Sequence, residues 1–137
     1  MILEKMVLEN FRVFEGTQEI VFSNDPNKNV TIIHAENGFG KTTLLKALLW
    51  GFYGHEGLLG NDGKADDFER PHELIHEGQL LQANDPDSLF TSVKIIFKHD
   101  DKRYTLKRSL SSSQQEQDYK KTELDLKVLK EGKTYPE

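Results

Sequence analysis

The chain has 137 residues, of which 36% are hydrophobic and 30% are charged, so it is long enough to bury one core in a single domain. Its formal net charge of −5 excludes a basic surface spread over the whole molecule, so nucleic-acid binding would need a local patch. The absence of cysteine excludes a disulfide framework and a thiolate zinc site, and it fits a reducing compartment. No signal-peptide pattern opens the chain, and no apolar run approaches the ~18 residues that span a membrane.

The start of the chain predicts three strands. ILEKMVLENF, residues 2–11, alternates apolar and charged residues, and TQEIVF, residues 17–22, does so after a turn at Glu15 and Gly16. We expect these two segments to form a hairpin. VTIIH, residues 30–34, is a short β-branched run of the kind that fills a buried strand.

The residues after this run predict the main helix and then a long connection. Gly54 is placed to end the helix, and residues 54–72 are rich in Gly, Asp and Asn, as loops are. PHELIHEG, residues 71–78, predicts one or two helical turns that end at Gly78. The apolar residues at helical spacing in the main helix are Leu44, Leu45, Leu48, Leu49 and Phe52.

Three further strands are predicted in the last part of the chain. They are SVKIIFK (92–98), RYTLKRSL (103–110) and TELDLKVL (122–129), each with alternating apolar residues. HDDK, residues 99–102, predicts a tight turn between the first two, and SSSQQEQDYKK, residues 111–121, predicts a polar linker. The inward faces are expected to carry Val93, Ile95, Phe97, Tyr104, Leu106, Leu110, Leu124, Leu126 and Val128.

The stretch ENGFGKTT, residues 36–43, nearly matches the phosphate-binding pattern G-x-x-x-x-G-K-[ST]. In such a loop Gly38 and Gly40 let successive backbone N–H groups turn toward phosphate oxygens. Lys41 would reach the β- and γ-phosphates, and the Thr42 hydroxyl would bind Mg²⁺. The strand before and the helix after favour this interpretation over an ordinary strand-to-helix turn with an incidental lysine and threonine.

The one departure from the pattern is Ala35, which stands where the first glycine belongs. This position lies at the end of the predicted strand, where the backbone is near β geometry. Alanine at positive φ would cost roughly 1 kcal/mol, so we expect Ala35 at negative φ and a functional loop.

Together with E-N-F-R, Glu9 to Arg12, this loop resembles the start of the SMC/SbcC/RecF-type ATPases of DNA repair and chromosome maintenance. These ABC-type ATPases include DndD-like members of phosphorothioate systems. LLKALLWGFYG resembles the first helix of the family, and KADDF, residues 64–68, resembles a charged segment that ends in Phe. VKIIFKHDDKRYTLKRSL, residues 93–110, resembles its hairpin of two strands around an acidic turn. The resemblance covers nearly the whole chain.

The resemblance implies an α/β fold, the ABC-ATPase-like P-loop lobe. Its parts would be a mixed sheet around the loop, one main helix and an antiparallel β subdomain. Residues 1–137 would form the N-terminal lobe of an ATPase head. Within it we expect a P-loop core at 1–54, a connecting loop at 55–90 and an antiparallel β region at 91–130. A C-terminal lobe and a coiled coil would be supplied elsewhere, since no glutamine loop, signature sequence or switch histidine is clearly present.

The resemblance also implies the ligands and their contacts. ATP and Mg²⁺ are the expected cofactors, with Mg²⁺ on Thr42. Arg12 would lie near the nucleotide, and the segment after Phe68, around Glu69 and Arg70, would approach the adenosine or the phosphates. The residues expected to wrap the phosphates are Asn37, Gly38, Phe39, Gly40, Lys41, Thr42 and Thr43.

In the family, two heads close on two nucleotides, and closure and hydrolysis gate access to DNA. The expected partners are therefore a C-terminal lobe and coiled coil, a second head, DNA and a nuclease, without a membrane, in a cytoplasmic, nucleoid-associated location. No residue of this chain is a convincing catalytic base, so the isolated chain should hydrolyse ATP poorly. The alternative is a standalone nucleotide-binding interaction module without catalysis.

Three segments imitate other motifs. IIFKHDD, residues 95–101, imitates a Mg²⁺-binding strand with terminal acids, but its lysines favour a hairpin. LSSSQQE, residues 110–116, imitates the LSGGQ signature but has serines in place of the glycines, which favours a connector. HELIH, residues 72–76, matches the zinc-protease pattern H-E-x-x-H, but the helix would span barely two turns and no third ligand is evident. We expect a solvated turn, and the alternative is a surface histidine pair that takes up a stray metal.

Overall fold

The computed structural model describes residues 1–58, 71–82, 90–111, 123–130 and 133–136. Within these ranges the strands form one six-stranded antiparallel sheet, and one long helix packs on it. The strands are β1 (Ile2–Phe11), β2 (Phe14–Val21), β3 (Phe90–His99), β4 (Lys102–Ser111), β5 (Glu123–Lys130) and β6 (Lys133–Pro136), in the sheet order β2-β1-β3-β4-β5-β6. The α-helices are α1 (Lys41–Tyr53) and α2 (Glu77–Gln82), and 3₁₀ helices span Gly54–Leu58 and Pro71–Leu74.

The predicted hairpin at the start of the chain is confirmed, but its turn was placed wrongly. β1 and β2 pair antiparallel up to Phe11 and Phe14, so the turn consists of Arg12 and Val13. Glu15 and Gly16 lie inside β2, at an irregularity in the pairing. Gly16 has a φ of 65°, so the glycine that resembled a turn residue instead accommodates a bulge within the strand.

Residues 30–34 do not form the buried strand that their composition predicts. They belong to no strand of the sheet, and Val30, Ile32 and Ile33 are 73%, 86% and 44% exposed. A β-branched run becomes a buried strand only when strands flank it and layers cover it. Among the described residues none pairs with this run as a strand. The predicted mixed sheet is therefore wrong for the described residues, whose sheet is antiparallel throughout.

The three late strands and the turn at residues 99–102 are confirmed. IIFKHDD forms part of the β3–β4 hairpin, with Asp100 and Asp101 exposed in its turn, as the lysines predicted. Leu124 is the exception to the predicted inward face, since it is 52% exposed because α1 packs over β3 and β4 rather than over the start of β5. β6 was not predicted, because four residues are too few to show an alternation.

Helix α1 ends at Gly54 as predicted. Gly54 adopts a φ of 67°, and its N–H bonds the Trp50 carbonyl. The helix lies close to the sheet because a Cβ on Gly51 would stand 2.6 Å from the Ile95 side chain. Trp50 is fully buried, with its ring centroid 5.7 Å from that of Phe11. The buried core consists of Met6, Leu8, Phe11, Ala47, Trp50, Leu58, Leu74, Val93, Ile95, Leu106 and Leu110.

Within the predicted connecting loop, residues 55–58, 71–82 and 90 are described. Pro71–Leu74 is a 3₁₀ helix, which agrees with the predicted helical turn. Gly78 was predicted to end that turn, but it lies in the first turn of α2 instead. KADDF (64–68), Arg70 and most of LSSSQQE lie outside the described residues. In the described part of the chain, no helix has both the length and the apolar character needed to cross a bilayer.

An ion-pair network ties β1 to the β3–β4 hairpin. Arg103 donates two hydrogen bonds to the Glu4 carboxylate, at 2.7 and 3.1 Å, and the Lys98 ammonium lies 3.5 Å from it. The hydrogen bonds from Arg103 are the largest effect, and they lower the pKa of Glu4 below its ordinary value. Burial opposes them, and the charges of Arg103 and Lys98 lower the pKa further. The pair therefore favours the folded state above the pH at which Glu4 takes up a proton.

Candidate functional site

The glycine loop, residues 35–40, leads directly into α1. Its tight turn is closed by a hydrogen bond from the Phe39 N–H to the Glu36 carbonyl, at 3.3 Å. Gly38 and Gly40 have φ values of 88° and 100°, which few other residues adopt without strain. Ala35 is not among the residues with positive φ, so the expectation of a negative φ at the departure from the pattern is confirmed.

The N-terminus of α1 is bare. Gly40 is the N-cap residue, and its carbonyl accepts the first helical hydrogen bond, from the Leu44 N–H at 3.0 Å. No side chain caps the helix, and its first turn contains no acidic residue. The first N–H groups of a helix have no partner within the helix and carry the positive end of its dipole. This end of α1 is therefore suited to an anion.

The predicted ligand-binding side chains differ in exposure. Asn37, Phe39, Lys41 and Thr42 are exposed at the start of the helix, so their side chains can meet a ligand from solvent. Thr43 is buried, with 5% of its surface exposed. A contact from Thr43 to a ligand would therefore come from its backbone rather than from its hydroxyl.

The β1–β2 turn lies against the glycine loop. A Cβ built on Gly40 would stand 2.7 Å from Cζ of Phe14 and 3.2 Å from Cγ2 of Val13. Gly40 thus combines a positive φ with a close approach, and a larger residue would push the turn away. Arg12, which the resemblance placed near the nucleotide, directly precedes Val13 in this turn. Arg70, the other predicted arginine, lies outside the described residues.

A glycine-rich loop, a bare helix start and an adjoining lysine and threonine occur here in one continuous stretch. A family model described as an AAA domain matches residues 5–136, nearly the whole chain. The chain belongs to this AAA domain family. The family groups SMC/SbcC-like ATPases, which bind nucleotide and generally use Mg²⁺. No curated protein sequence matches the chain.

A groove of about 240 Å³ adjoins the glycine loop of the AAA domain. Ile33, Ala35 and Phe39 line it from the loop side, and Lys41 lies at the helix start. The opposite side is formed by residues of β1 and β2 outside the E-N-F-R stretch, and sequence reasoning did not connect these residues with the site because no motif marks them. The lining residues from the strands are Leu8, Phe14, Gln18, Glu19 and Ile20.

HELIH in the AAA domain forms neither the continuous helix that the zinc-protease pattern requires nor the solvated turn that we expected. The zinc-protease pattern needs both histidines on one helical face, whereas here a 3₁₀ helix ends at Leu74 and Ile75 bridges to Phe11. The His76 ring accepts a hydrogen bond from the Gly78 N–H through Nδ1, at 3.1 Å. Leu74 and Ile75 are buried, and the described residues contain no group of three His, Asp or Glu side chains placed to hold a metal. The segment packs against the β1–β2 turn and is hydrogen-bonded to its backbone.

A half-buried cation, which no motif marks, lies at the C-terminal end of α1. Arg108 on β4 donates through Nε to the Gly51 carbonyl, at 3.1 Å. Its burial lowers its pKa. Burial also lowers the pKa of nearby His55, and the positive charge of Arg108 lowers it further. The alternation in β4 would have located this arginine, because Leu106, Arg108 and Leu110 share one face of the strand.

Proposed function

We propose that the AAA domain binds Mg²⁺-ATP at the glycine loop and the start of α1. The proposal rests on the N-terminus of α1, a 13-residue helix that no side chain caps and that follows two glycines with positive φ. Such an end offers unpaired N–H groups and a favourable dipole to phosphate oxygens. The family to which the chain belongs supports nucleotide as the anion.

The roles of the side chains follow from this placement. Lys41 neutralises charge on the β- and γ-phosphates, and the Thr42 hydroxyl binds Mg²⁺. Residues 37–43 surround the phosphates with backbone N–H groups. Arg12 approaches the nucleotide from the β1–β2 turn, and Arg70 remains part of the proposal through the family resemblance alone.

We further propose that this domain is the N-terminal lobe of an SMC/SbcC-like head, DndD-like members included, and that a C-terminal lobe completes it. The exposed apolar residues support this. Val30 and Ile32 precede the glycine loop, and on α1 Leu45 and Tyr53 are 57% and 67% exposed. Surfaces of this kind mark interaction sites when they are contiguous. A lobe that covered them would bury apolar area, which is the main favourable term in protein association.

The complete head would bind two nucleotides between two copies and act on DNA with a nuclease partner. Its context would be DNA repair, DNA processing or defence against foreign DNA, in the cytoplasm near the nucleoid. Hydrolysis would need residues from outside the described part of this chain. The acids that imitate a catalytic strand, Asp100 and Asp101, lie in the β3–β4 turn instead.

Isothermal titration of the purified chain with a non-hydrolysable ATP analogue and Mg²⁺ tests the binding site. We expect binding by the wild type and its loss in Lys41→Ala. Lys28→Ala is the matched control, because it removes the same charge from another exposed position and should leave binding unchanged. Equal affinities in wild type and Lys41→Ala would contradict the proposal.

Phosphate release separates an ATPase lobe from a standalone binding module. We expect slow turnover by the isolated chain and faster turnover after addition of the C-terminal lobe of the head. Nucleotide binding without any gain of turnover would favour the module. In that case the exposed residues around Val30 would serve another partner.

A further inference from the structure

The β1–β2 turn contains backbone conformations that need an explanation. Asn10 and Arg12 have φ values of 48° and 52°, in the left-handed region. Asn tolerates this region better than most residues, whereas an arginine there is strained. Such conformations persist only where the surrounding structure imposes them.

Asn10 fixes this conformation with two hydrogen bonds, one to its side chain and one to its backbone carbonyl. Its side-chain Oδ1 accepts a hydrogen bond from the Gly16 N–H, at 2.8 Å, and so fills the gap in the ladder at the β2 bulge. Its backbone carbonyl accepts a hydrogen bond from the His76 N–H, also at 2.8 Å. Asn10 thereby joins β2 to the segment that leads into α2.

The same segment fixes Arg12 itself. The Arg12 N–H donates to the Leu74 carbonyl, at 2.8 Å, and Phe11 forms an antiparallel bridge with Ile75. Leu74 and Ile75 are buried, so the bonds are shielded from water. The backbone N–H of Arg12 is therefore held by this segment, and the next residue, Val13, lies beside Gly40, the N-cap residue of α1.

We infer that Asn10 is a positioning residue for the nucleotide, because it holds the Arg12 turn against the cap of α1 and so places the Arg12 guanidinium beside the phosphates. This inference rests on the proposed function. It assigns a role to the asparagine of the E-N-F-R stretch, and it explains why HELIH is folded onto the β1–β2 turn. The Asn10 side chain acts through Arg12 and has no contact with nucleotide of its own.

A double-mutant cycle on nucleotide affinity tests the inference. We expect Asn10→Ala to weaken binding of the Mg²⁺-bound ATP analogue about tenfold. In an Arg12→Ala background the same change should alter affinity less than about twofold, because the residue through which it acts is gone. Equal losses in both backgrounds would overturn the inference.

Asp100→Ala is the matched control. Asp100 has a φ of 54° in the β3–β4 turn, so the change removes another residue that tolerates the left-handed region, far along the chain from the site. We expect lower stability and unchanged nucleotide affinity. If Asp100→Ala weakened affinity as much as Asn10→Ala, general destabilisation would account for both and the inference would be wrong.

Amide hydrogen exchange without nucleotide separates this inference from the proposed function. Asn10→Ala should speed exchange at the amides of Arg12 and His76, and Asp100→Ala should not. Unchanged exchange in Asn10→Ala would overturn the role of Asn10, whatever the nucleotide does. Faster exchange together with no binding by the wild type would instead overturn the proposed function, and with it the role at the phosphates.

Discussion

The two ends of helix α1 are built in opposite ways. At its start a left-handed glycine caps the helix, no side chain accepts its first N–H groups, and Lys41 occupies the first turn. At its end the Gly54 N–H donates to the Trp50 carbonyl, and the Arg108 side chain donates to the Gly51 carbonyl. A cation suits a helix C-terminus and opposes an N-terminus, so Lys41 stands at the unfavourable end and Arg108 at the favourable one.

The two ends therefore have different roles. The N-terminal end is suited to a ligand, and the C-terminal end holds the helix in place. The end of α1 at Gly54, the closed end, continues into the 3₁₀ helix Gly54–Leu58 and lies against β4, and its Trp50 and Gly51 carbonyls accept hydrogen bonds within the protein. The N-terminal end of α1, the open end, leaves its first N–H groups to solvent, and Lys41 places a positive charge beside them. We therefore expect changes at the open end to alter ligand affinity and changes at the closed end to alter stability.

The largest expected effects come from one lysine and one arginine at opposite ends. Lys41→Ala should lower affinity for the Mg²⁺-bound ATP analogue about 100-fold, the effect of a charged hydrogen-bonding group, with little change in stability. Arg108→Gln should lower the free energy of unfolding by about 1–3 kcal/mol and leave affinity intact. Titration calorimetry and urea denaturation of both variants measure the two quantities. Loss of affinity in Arg108→Gln would show that the ends are coupled.

Two glycines with similar φ sharpen the same comparison. A Cβ on Gly54 would stand 3.3 Å from Nη1 of Arg108, whereas a Cβ on Gly38 would have no atom within 4 Å. Gly38→Ala carries a backbone strain of about 1–2 kcal/mol. Gly54 has a φ of 67° and a ψ of −149°, a region essentially restricted to glycine, so Gly54→Ala carries at least as much strain. We expect Gly54→Ala to lose more stability than Gly38→Ala, because it also displaces the arginine. Urea denaturation measures the loss of stability in each variant. Equal losses would mean that Arg108 moves freely.

The closed end should also make stability depend on pH. Burial, and then Arg108, lowers the pKa of His55 below its ordinary value of 6.5. Between the unfolded and the folded pKa the unfolded chain binds more protons, so the free energy of unfolding falls as pH decreases below about 6.5. Denaturation curves between pH 8 and pH 5 measure this slope.

The other histidines supply the control for this slope. His55→Gln should reduce the pH dependence, and His34→Gln, which replaces an exposed histidine, is the comparison variant. A slope that survived in His55→Gln would have to come from other groups. The carboxylate Glu4 contributes only at lower pH, since its pKa lies below 4.5.

The smallest expected effect lies away from both ends. Glu4→Gln removes the ion pair with Arg103, whose side chain is 47% exposed. Pairs of this exposure contribute about 0–1 kcal/mol, and the contribution disappears as pH falls through the lowered pKa of Glu4. Thermal unfolding between pH 7 and pH 3 should therefore separate wild type and variant most at pH 7, and less as the pH falls. A larger loss at pH 7 would mean that the network also positions β1.

Local sequence patterns predicted the elements whose structure depends on only a few neighbouring residues. The alternation in β3 and β4, the acidic turn between them and the stop at Gly54 are such cases, and all were found where expected. The glycine loop was recognised for the same reason, since its motif is continuous. Arg108 was within reach of the same reasoning, because its position in the alternation faces the helix.

Contacts between distant segments could not be read from the sequence. The run at residues 30–34 has the composition of a buried strand, but burial depends on neighbours that no local pattern specifies. The hydrogen bond between Asn10 and His76 joins residues far apart in the chain. The turn at Arg12 and Val13 was misplaced because Gly16 resembles a turn residue, whereas it occupies a bulge opposite Asn10.

The position of the only tryptophan gives this protein a built-in optical probe. Trp50 lies in the last turn of α1, has no exposed surface and packs against Phe11, one residue before the turn that holds Arg12. Its fluorescence should be emitted at short wavelength in the folded protein and shift to longer wavelength when water reaches the ring. Any movement of the helix relative to β1 would change the same signal. Nucleotide binding and unfolding can therefore be followed on the unlabelled protein, with one chromophore placed where the helix meets β1.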